Sequence, residues 1–218
     1  YSTFLQRAYD QIIHDCSIIK QHVVLAVDRA GIVGRDGATH QGMFDVSFLS
    51  AIPGVTVFAP SNYSELDEML KKAIYDCDGV CVIRYPRASE PDKAENNYCG
   101  DDFCIFNREN YNKLIVSYGN TFNQANGFDV ALCKLNVLKI TDKLIHEVSK
   151  FNEIYFFEEG IKNGGIGQIL GEKLLESRYN GKYKHIAVEE FVSHAEINSS
   201  LKKYSLDHDS MLEIISGD

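Results

Sequence analysis

The chain has 218 residues, 44% of them apolar and 24% charged, the proportions of a globular protein and not of a disordered or fibrous one. That length allows one large domain or two small ones, with enough chain for a real core. A net charge of −9 argues against broad contact with nucleic acid or an anionic membrane, though a few arginines can still hold one small anion, and no apolar run reaches the roughly 18 residues that a membrane span needs.

The chain opens at Tyr1 with no Met, in a stretch that reads like the interior of a folded unit, so a piece of a longer protein is expected. No charged segment followed by an apolar leader is visible, and a cytoplasmic location is expected. Ser2 to Ile19 carries Phe4, Leu5, Ala8, Ile12, Ile13 and Ile19 near a 3.6-residue period, predicting a helix with one buried face that Ser2 or Thr3 could cap. His22 to Val27 predicts a strand buried on both faces. Ala30 to Gly42, with four glycines, predicts a long loop leaving its carboxyl end. Gly54 to Ala59 predicts a second strand. Asn62 and Glu65 form a capping box for a helix whose buried face is Leu66, Met69, Leu70, Ala73 and Ile74. Val80 to Ile83 predicts a third strand, ending in Arg84-Tyr85-Pro86-Arg87.

From Ala88 to Asn112 the composition turns polar, apart from a brief apolar patch at Phe103 to Phe106. A linker over 91–112 is expected there, between a first domain at 1–90 and a second at 113–218. The second half repeats the alternation. Strands are predicted at Leu114 to Ser117, Val130 to Cys133, Ile154 to Phe157 and Ile186 to Val188. Helices are predicted at Asp142 to Phe151, Gln168 to Tyr179 and, as one or two, Ser199 to Ile215. Fold class is therefore α/β, two successive domains with parallel or mixed sheets. Six cysteines in a chain with no visible export signal predict free thiols, and their spacings are too loose for zinc, so no metal site is expected.

In open parallel sheets ligands bind beyond the carboxyl ends of the strands. Three polar segments leave such ends: Asp28-Arg29, the loop Gly34 to Gly42, and Arg84 to Arg87. Asp36 and His40, four apart in a glycine-rich loop, can share a pocket in which His40 trades a proton and a carboxylate orients it; a backbone-bonded His and a turn-forming Asp give the same spacing. Arg29 and Arg87 each follow a strand, where a guanidinium fork suits a terminal phosphate or an ion pair with a neighbouring carboxylate. Asn163 to Gly167 precedes a helix but lacks the dinucleotide fingerprint, so tight strand-to-helix packing is the expectation. Glu158-Glu159 reads as a solvated strand end.

Five motifs in order, Tyr1-Ser-Thr-Phe-Leu-Gln-Arg-Ala-Tyr-Asp-Gln, Asp28-Arg-Ala-Gly-Ile-Val-Gly, Asp36-Gly-Ala-Thr-His-Gln-Gly-Met-Phe-Asp45, Ala59-Pro-Ser and Arg84-Tyr-Pro-Arg, resemble the 1-deoxy-D-xylulose-5-phosphate synthases. These are thiamine-diphosphate-dependent members of the transketolase superfamily. The resemblance is thinner after residue 113, resting on Phe157-Glu-Glu and Gly164-Gly-Ile-Gly. It implies a truncated pyrimidine-binding domain followed by a transketolase carboxy-terminal domain. The implied reaction joins pyruvate to glyceraldehyde 3-phosphate with loss of carbon dioxide, in isoprenoid and thiamine biosynthesis. It also implies that Phe4 stacks on the cofactor's aminopyrimidine ring with Arg7 close by, that Tyr1, Arg29 and Arg87 hold the aldehyde's phosphate, and that Asp36 and His40 sit over the reacting carbons.

The family's diphosphate and magnesium motif has no counterpart here, and its catalytic Glu lies upstream of the Tyr-Ser-Thr-Phe motif. The expectation is therefore an inactive carboxy-terminal portion of a homodimeric synthase, whose missing partner is the amino-terminal portion of the same protein. A split-gene transketolase-like subunit and a non-catalytic dimerising or regulatory remnant are the alternatives. Between Tyr118 and Val130 there is room for only a stub of helix, shorter than is usual in the superfamily.

Overall fold

Strand-length apolar runs alternating with amphipathic stretches build two sheets. The computed structural model describes residues 1–90, 98–109 and 112–217. The first helical run comprises α1 (Ser2–Leu5), a 3₁₀ turn at Gln6–Ala8, α2 (Tyr9–Gln11) and a π-helical segment at Ile12–Ser17. β1 (Val23–Val27), α3 (Asp45–Leu49), β2 (Val55–Phe58), α4 (Tyr63–Tyr75) and β3 (Val80–Arg84) follow. The three strands form a parallel sheet in the order β1-β3-β2, with Val80 level with both Val23 and Val55.

The second sheet is built from β4 (Phe103–Phe106), β5 (Lys113–Tyr118), β6 (Ala131–Leu135), β7 (Glu153–Ile161) and β8 (Lys182–Val188). The helices of this half are α5 (Gly119–Gln124), α6 (Asp142–Val148), α7 (Ile166–Glu176), α8 (Ile197–Lys203) and α9 (His208–Ser216). Strand order is β4-β6-β5-β7-β8, with β4 antiparallel and the other pairs parallel. β4 falls inside the polar stretch expected as a linker and supplies an edge of this sheet. The stub of helix expected after Tyr118 is α5.

The capping box forms with a one-residue offset. The Asn62 side chain accepts the Glu65 N–H at 2.8 Å, while the Glu65 carboxylate reaches back to the amide and hydroxyl of Ser61, both at 2.7 Å. The two halves are joined by main chain as well as by packing. Ala59 N donates to Asn136 O at 3.1 Å and Leu138 N to Val57 O at 2.8 Å. One apolar cluster runs from Ile12, Val27, Leu49 and Val57 across to Leu114, Ile154 and Leu170, each such side chain contributing about 1.5–3 kcal/mol. A buried ion pair of Lys134 on β6 with Glu65 on α4 spans the same seam.

Several local expectations are corrected. β1 is the edge strand of the sheet and is not buried on both faces: Val23, Val24 and Leu25 are half-buried and Ala26 is exposed, so its faces are only partly covered. Neither Ser2 nor Thr3 caps the first helix, whose N-cap position is Tyr1, and Ile19 is 63% exposed because it lies beyond the last helical turn. On α4, Met69 and Ala73 are buried but Leu70 and Ile74 face outward, since the sheet covers a narrower stripe than the apolar pattern. The cysteines are not all free: Cys99 and Cys104 are joined in a disulfide, the chain doubling back into β4 so that their Cα atoms lie 6.6 Å apart. Cys16, Cys77, Cys81 and Cys133 are free thiols, and burial pushes Cys81 up to about 12.

Candidate functional site

β1 and β3 run side by side, so the segments leaving their carboxyl ends meet. Tyr85 N donates to Val27 O and Ala30 N to Tyr85 O, each at 3.0 Å. Arg29 sits at this junction with a left-handed backbone, φ +54°, which costs a non-glycine residue of order 1 kcal/mol and recurs at functional sites. Its guanidinium pairs with Asp28 and lies 4.4 Å above the Tyr1 ring, while its Nε is buried without a hydrogen-bond partner.

The glycine-rich loop is closed at its root by paired bonds between Gly31 and Gly42, both 2.8 Å. Gln41, which the sequence reading passed over, holds its interior. It is buried, takes the Val33 N–H at 2.8 Å and donates to Gly34 O and Gly37 O at 3.2 Å. This leaves Asp36 and His40 on the outer turn. His40 lies against Tyr1 and Phe4, with ring centroids 5.9 and 5.4 Å apart, and Tyr1 and Phe4 are 4.9 Å apart. Arg7 covers the Phe4 ring at 4.9 Å.

The structure thus brings Tyr1, Phe4, Arg7, Arg29, Asp36, His40 and Arg87 to one end of the first sheet, with one correction. Asp36 does not orient His40. Its carboxylate accepts from Arg87 at 2.8 Å, and His40 Nδ1 bonds instead to Thr39 Oγ1 at 2.8 Å. The loop turns between the two residues, so a spacing of four does not place them on one face. Arg29 and Arg87 both line a cleft of about 380 Å³ together with Pro60, Tyr63, Tyr85 and Asn120.

The second glycine-rich turn does pack strand against helix. A side chain on Gly165 would collide with Glu158, and one on Gly167 with His185. The anion at the start of α7 is the protein's own: Glu158 accepts from Gly167 N at 3.1 Å, from Tyr118 Oη at 2.8 Å, and lies 2.6 Å from His185 Nε2. Glu158 and Glu159 are therefore buried, not solvated, because β7 runs on beneath the loop from the first half. Burial raises the Glu159 carboxyl above its ordinary range. It also raises the Tyr118 phenol, with Glu158 adding to the effect. Three residues before Arg87, Arg84 makes a buried pair with Asp45 at 2.9 and 3.3 Å. Among the described residues no group of three or more His, Cys, Asp or Glu side chains is placed to hold a metal ion.

Residues 1–92 match the family described as transketolase, pyrimidine binding domain. Over 99% of its length the chain is 38% identical to the 1-deoxy-D-xylulose-5-phosphate synthase of Lachnoclostridium phytofermentans. It belongs to the 1-deoxy-D-xylulose-5-phosphate synthase family. Over its whole length it is also 36% identical to the synthase of Helicobacter pylori strain J99. It spans 37% and 38% of the length of these two synthases. Among solved structures, a split-gene transketolase described as an inactive β4 tetramer matches with a TM-score of 0.85 at 22% identity, over 100% of this chain and 74% of that one. A transketolase mutant from Pichia stipitis matches with a TM-score of 0.79 at 15% identity, over 100% of this chain and 33% of that one. These likenesses give the synthase-family chain a transketolase-like α/β fold.

Proposed function

We propose that this chain is the part of a 1-deoxy-D-xylulose-5-phosphate synthase that receives the phosphorylated aldehyde, in a reaction joining pyruvate to glyceraldehyde 3-phosphate with loss of carbon dioxide. The observation that carries the reading is the meeting of Arg29 and Arg87 in one cleft beside the Tyr1, Phe4 and His40 rings. Two guanidinium groups from adjacent strands suit a phosphate dianion. Tyr1 adds a hydroxyl, and the unpartnered Nε of Arg29 is one donor to spare. Asp36 is bonded to Arg87 itself, and His40, whose Nδ1 bonds to Thr39, has Nε2 as the nitrogen through which a proton is held or passed to a substrate oxygen.

The residues fit the pyrimidine end of thiamine diphosphate. Phe4 is a half-buried ring with Arg7 beside it, a surface of the kind on which an aromatic heterocycle stacks. When bound, that cofactor supplies carbanion stabilisation and an electron sink. The described residues offer no cluster for magnesium, so the diphosphate and metal are assigned no ligands here. The cytoplasmic, homodimeric setting and the magnesium requirement belong to the same proposal.

The test is turnover of pyruvate with glyceraldehyde 3-phosphate by the complete protein. His40→Ala is expected to cut kcat by about a hundredfold or more, the scale of a lost general acid or base. Unchanged turnover contradicts the reading and favours a non-catalytic remnant. The 218-residue chain alone is expected to turn nothing over, and a synthase rate from it contradicts that. The larger share covered of the split-gene transketolase chain, 74% against 37% of the synthase, supports a second arrangement, in which a separate amino-terminal chain completes the site; activity that appears only on mixing the two chains distinguishes it.

A further inference from the structure

Glu159 is a buried carboxylate that neither the phosphate cleft nor the ring cluster uses. It belongs to β7 in the second half, yet it touches the loop of the first. Its Oε2 accepts the Ile32 N–H at 2.9 Å, and a side chain on Gly31, whose φ is +80°, would overlap that oxygen. Gly31 and Gly42 are the paired residues that close the root of the loop carrying Asp36 and His40. The glycine at 31 and the carboxylate at 159 therefore fit each other across the seam between the halves.

The surroundings show that Glu159 is not simply one end of an ion pair. The guanidinium of Arg84 is taken by both oxygens of Asp45. Glu158, next along the strand, is directed to Tyr118, Gly167 and His185. The Asn120 side chain beside the Glu159 carboxylate favours its charged form, while Oε1 is buried without a well-formed hydrogen bond. Glu159 lines a small cavity together with Ala30, Arg84, Tyr85, Tyr118 and Asn120. Burial favours the neutral acid, with the Ile32 N–H and the Arg84 charge acting the other way.

We propose that Glu159 is a positioning residue: from the second half it pins the root of the Gly31–Gly42 loop and so sets where Asp36 and His40 meet the substrate. The positioning of catalysis rests on the synthase reading, whereas the pinning of the loop does not.

Amide hydrogen exchange on the complete protein separates the two. Glu159→Ala is expected to speed exchange at Ile32 and Gly42 by about tenfold or more, the scale of one lost hydrogen bond to a carboxyl group, with the amides of β4 and β6 unchanged. Glu159→Gln keeps an oxygen for the Ile32 N–H and is expected to restore protection to within about threefold. In turnover, Glu159→Ala lowers kcat by about tenfold or more while KM for glyceraldehyde 3-phosphate stays within about threefold, and Glu159→Gln recovers most of kcat. Wild-type protection at Ile32 and Gly42 in Glu159→Ala, or Glu159→Gln as loose as Glu159→Ala, overturns the proposal. If Glu159→Ala does not fold, Glu159→Asp, which withdraws the carboxylate by one methylene, must loosen the same two amides, and full protection there overturns it too. Loosening with rescue in a protein that shows no synthase turnover supports the anchor and removes only the synthase reading.

Discussion

Arg84 and Arg87 leave the same strand three residues apart, and each pairs with an aspartate of the 36–45 segment, yet the two pairs are different devices. Arg84 is 5% exposed and Asp45 0%, with both guanidinium bonds made inside the fold; despite its burial, the facing charge of Asp45 holds the Arg84 guanidinium firmly protonated. Arg87 is 58% exposed, meets Asp36 through one bond and lines the cleft. A buried pair broken on one side leaves a stranded charge, which costs about 3–5 kcal/mol. An exposed pair is worth about 0–1 kcal/mol, so under the proposed function an arriving phosphate would displace Asp36 from Arg87 at little cost. The first pair fastens the loop to the sheet, and the second keeps a cation ready with a weak internal anion on it.

The comparison breaks first at Arg84. Arg84→Ala is expected to destabilise the protein by about 3–5 kcal/mol in denaturant unfolding, and a loss below about 1 kcal/mol means that the pair does not fasten the loop. Arg87→Ala, by contrast, is expected to cost about 1 kcal/mol or less in the same assay.

Glu159→Gln sharpens the contrast through pH. Burial raises the folded-state carboxyl, so its contribution to stability is full at acid pH and is lost as the pH rises through the raised folded value. A glutamine does not titrate. The variant is therefore expected to gain on the wild type as the pH rises above the ordinary glutamate range, and parallel stability curves remove the assignment. The smallest effect is the coupling of Arg87 with Asp36. A double-mutant cycle is expected to give about 0.2–1 kcal/mol, shrinking with salt, while the Arg84 and Asp45 cycle is larger and less salt-dependent.

Much of this was legible in the sequence for reasons that are local. Apolar runs of strand length, the Asn62 and Glu65 box and the polar segments after Val27 and Ile83 all act through neighbours in the chain, and the parallel pairing of β1 with β3 then brought the three predicted segments together. What escaped the sequence depends on residues far apart. Glu158 and Glu159 read as a solvated strand end because nothing nearby shows that the first-half loop lies over them, with Ile32 reaching Glu159 across 127 positions. His185 offered no local partner, yet Glu158 is 27 residues away and 2.6 Å distant. Lys134 and Glu65 pair across 69 residues. Asp36 and His40 failed as a pair because a tight turn separates side chains that helical spacing would align.

The central claim is that Arg29 and Arg87 hold the phosphate of the aldehyde substrate, and comparing phosphorylated with unphosphorylated substrate tests it most directly. In the complete protein, Arg87→Ala and Arg29→Ala are each expected to raise KM for glyceraldehyde 3-phosphate by about tenfold or more, the scale of a lost charge-assisted hydrogen bond. KM for glyceraldehyde itself is expected to stay unchanged, so that the preference for the phosphorylated aldehyde collapses. Variants that keep the wild-type preference, or that lose both substrates equally, contradict the account.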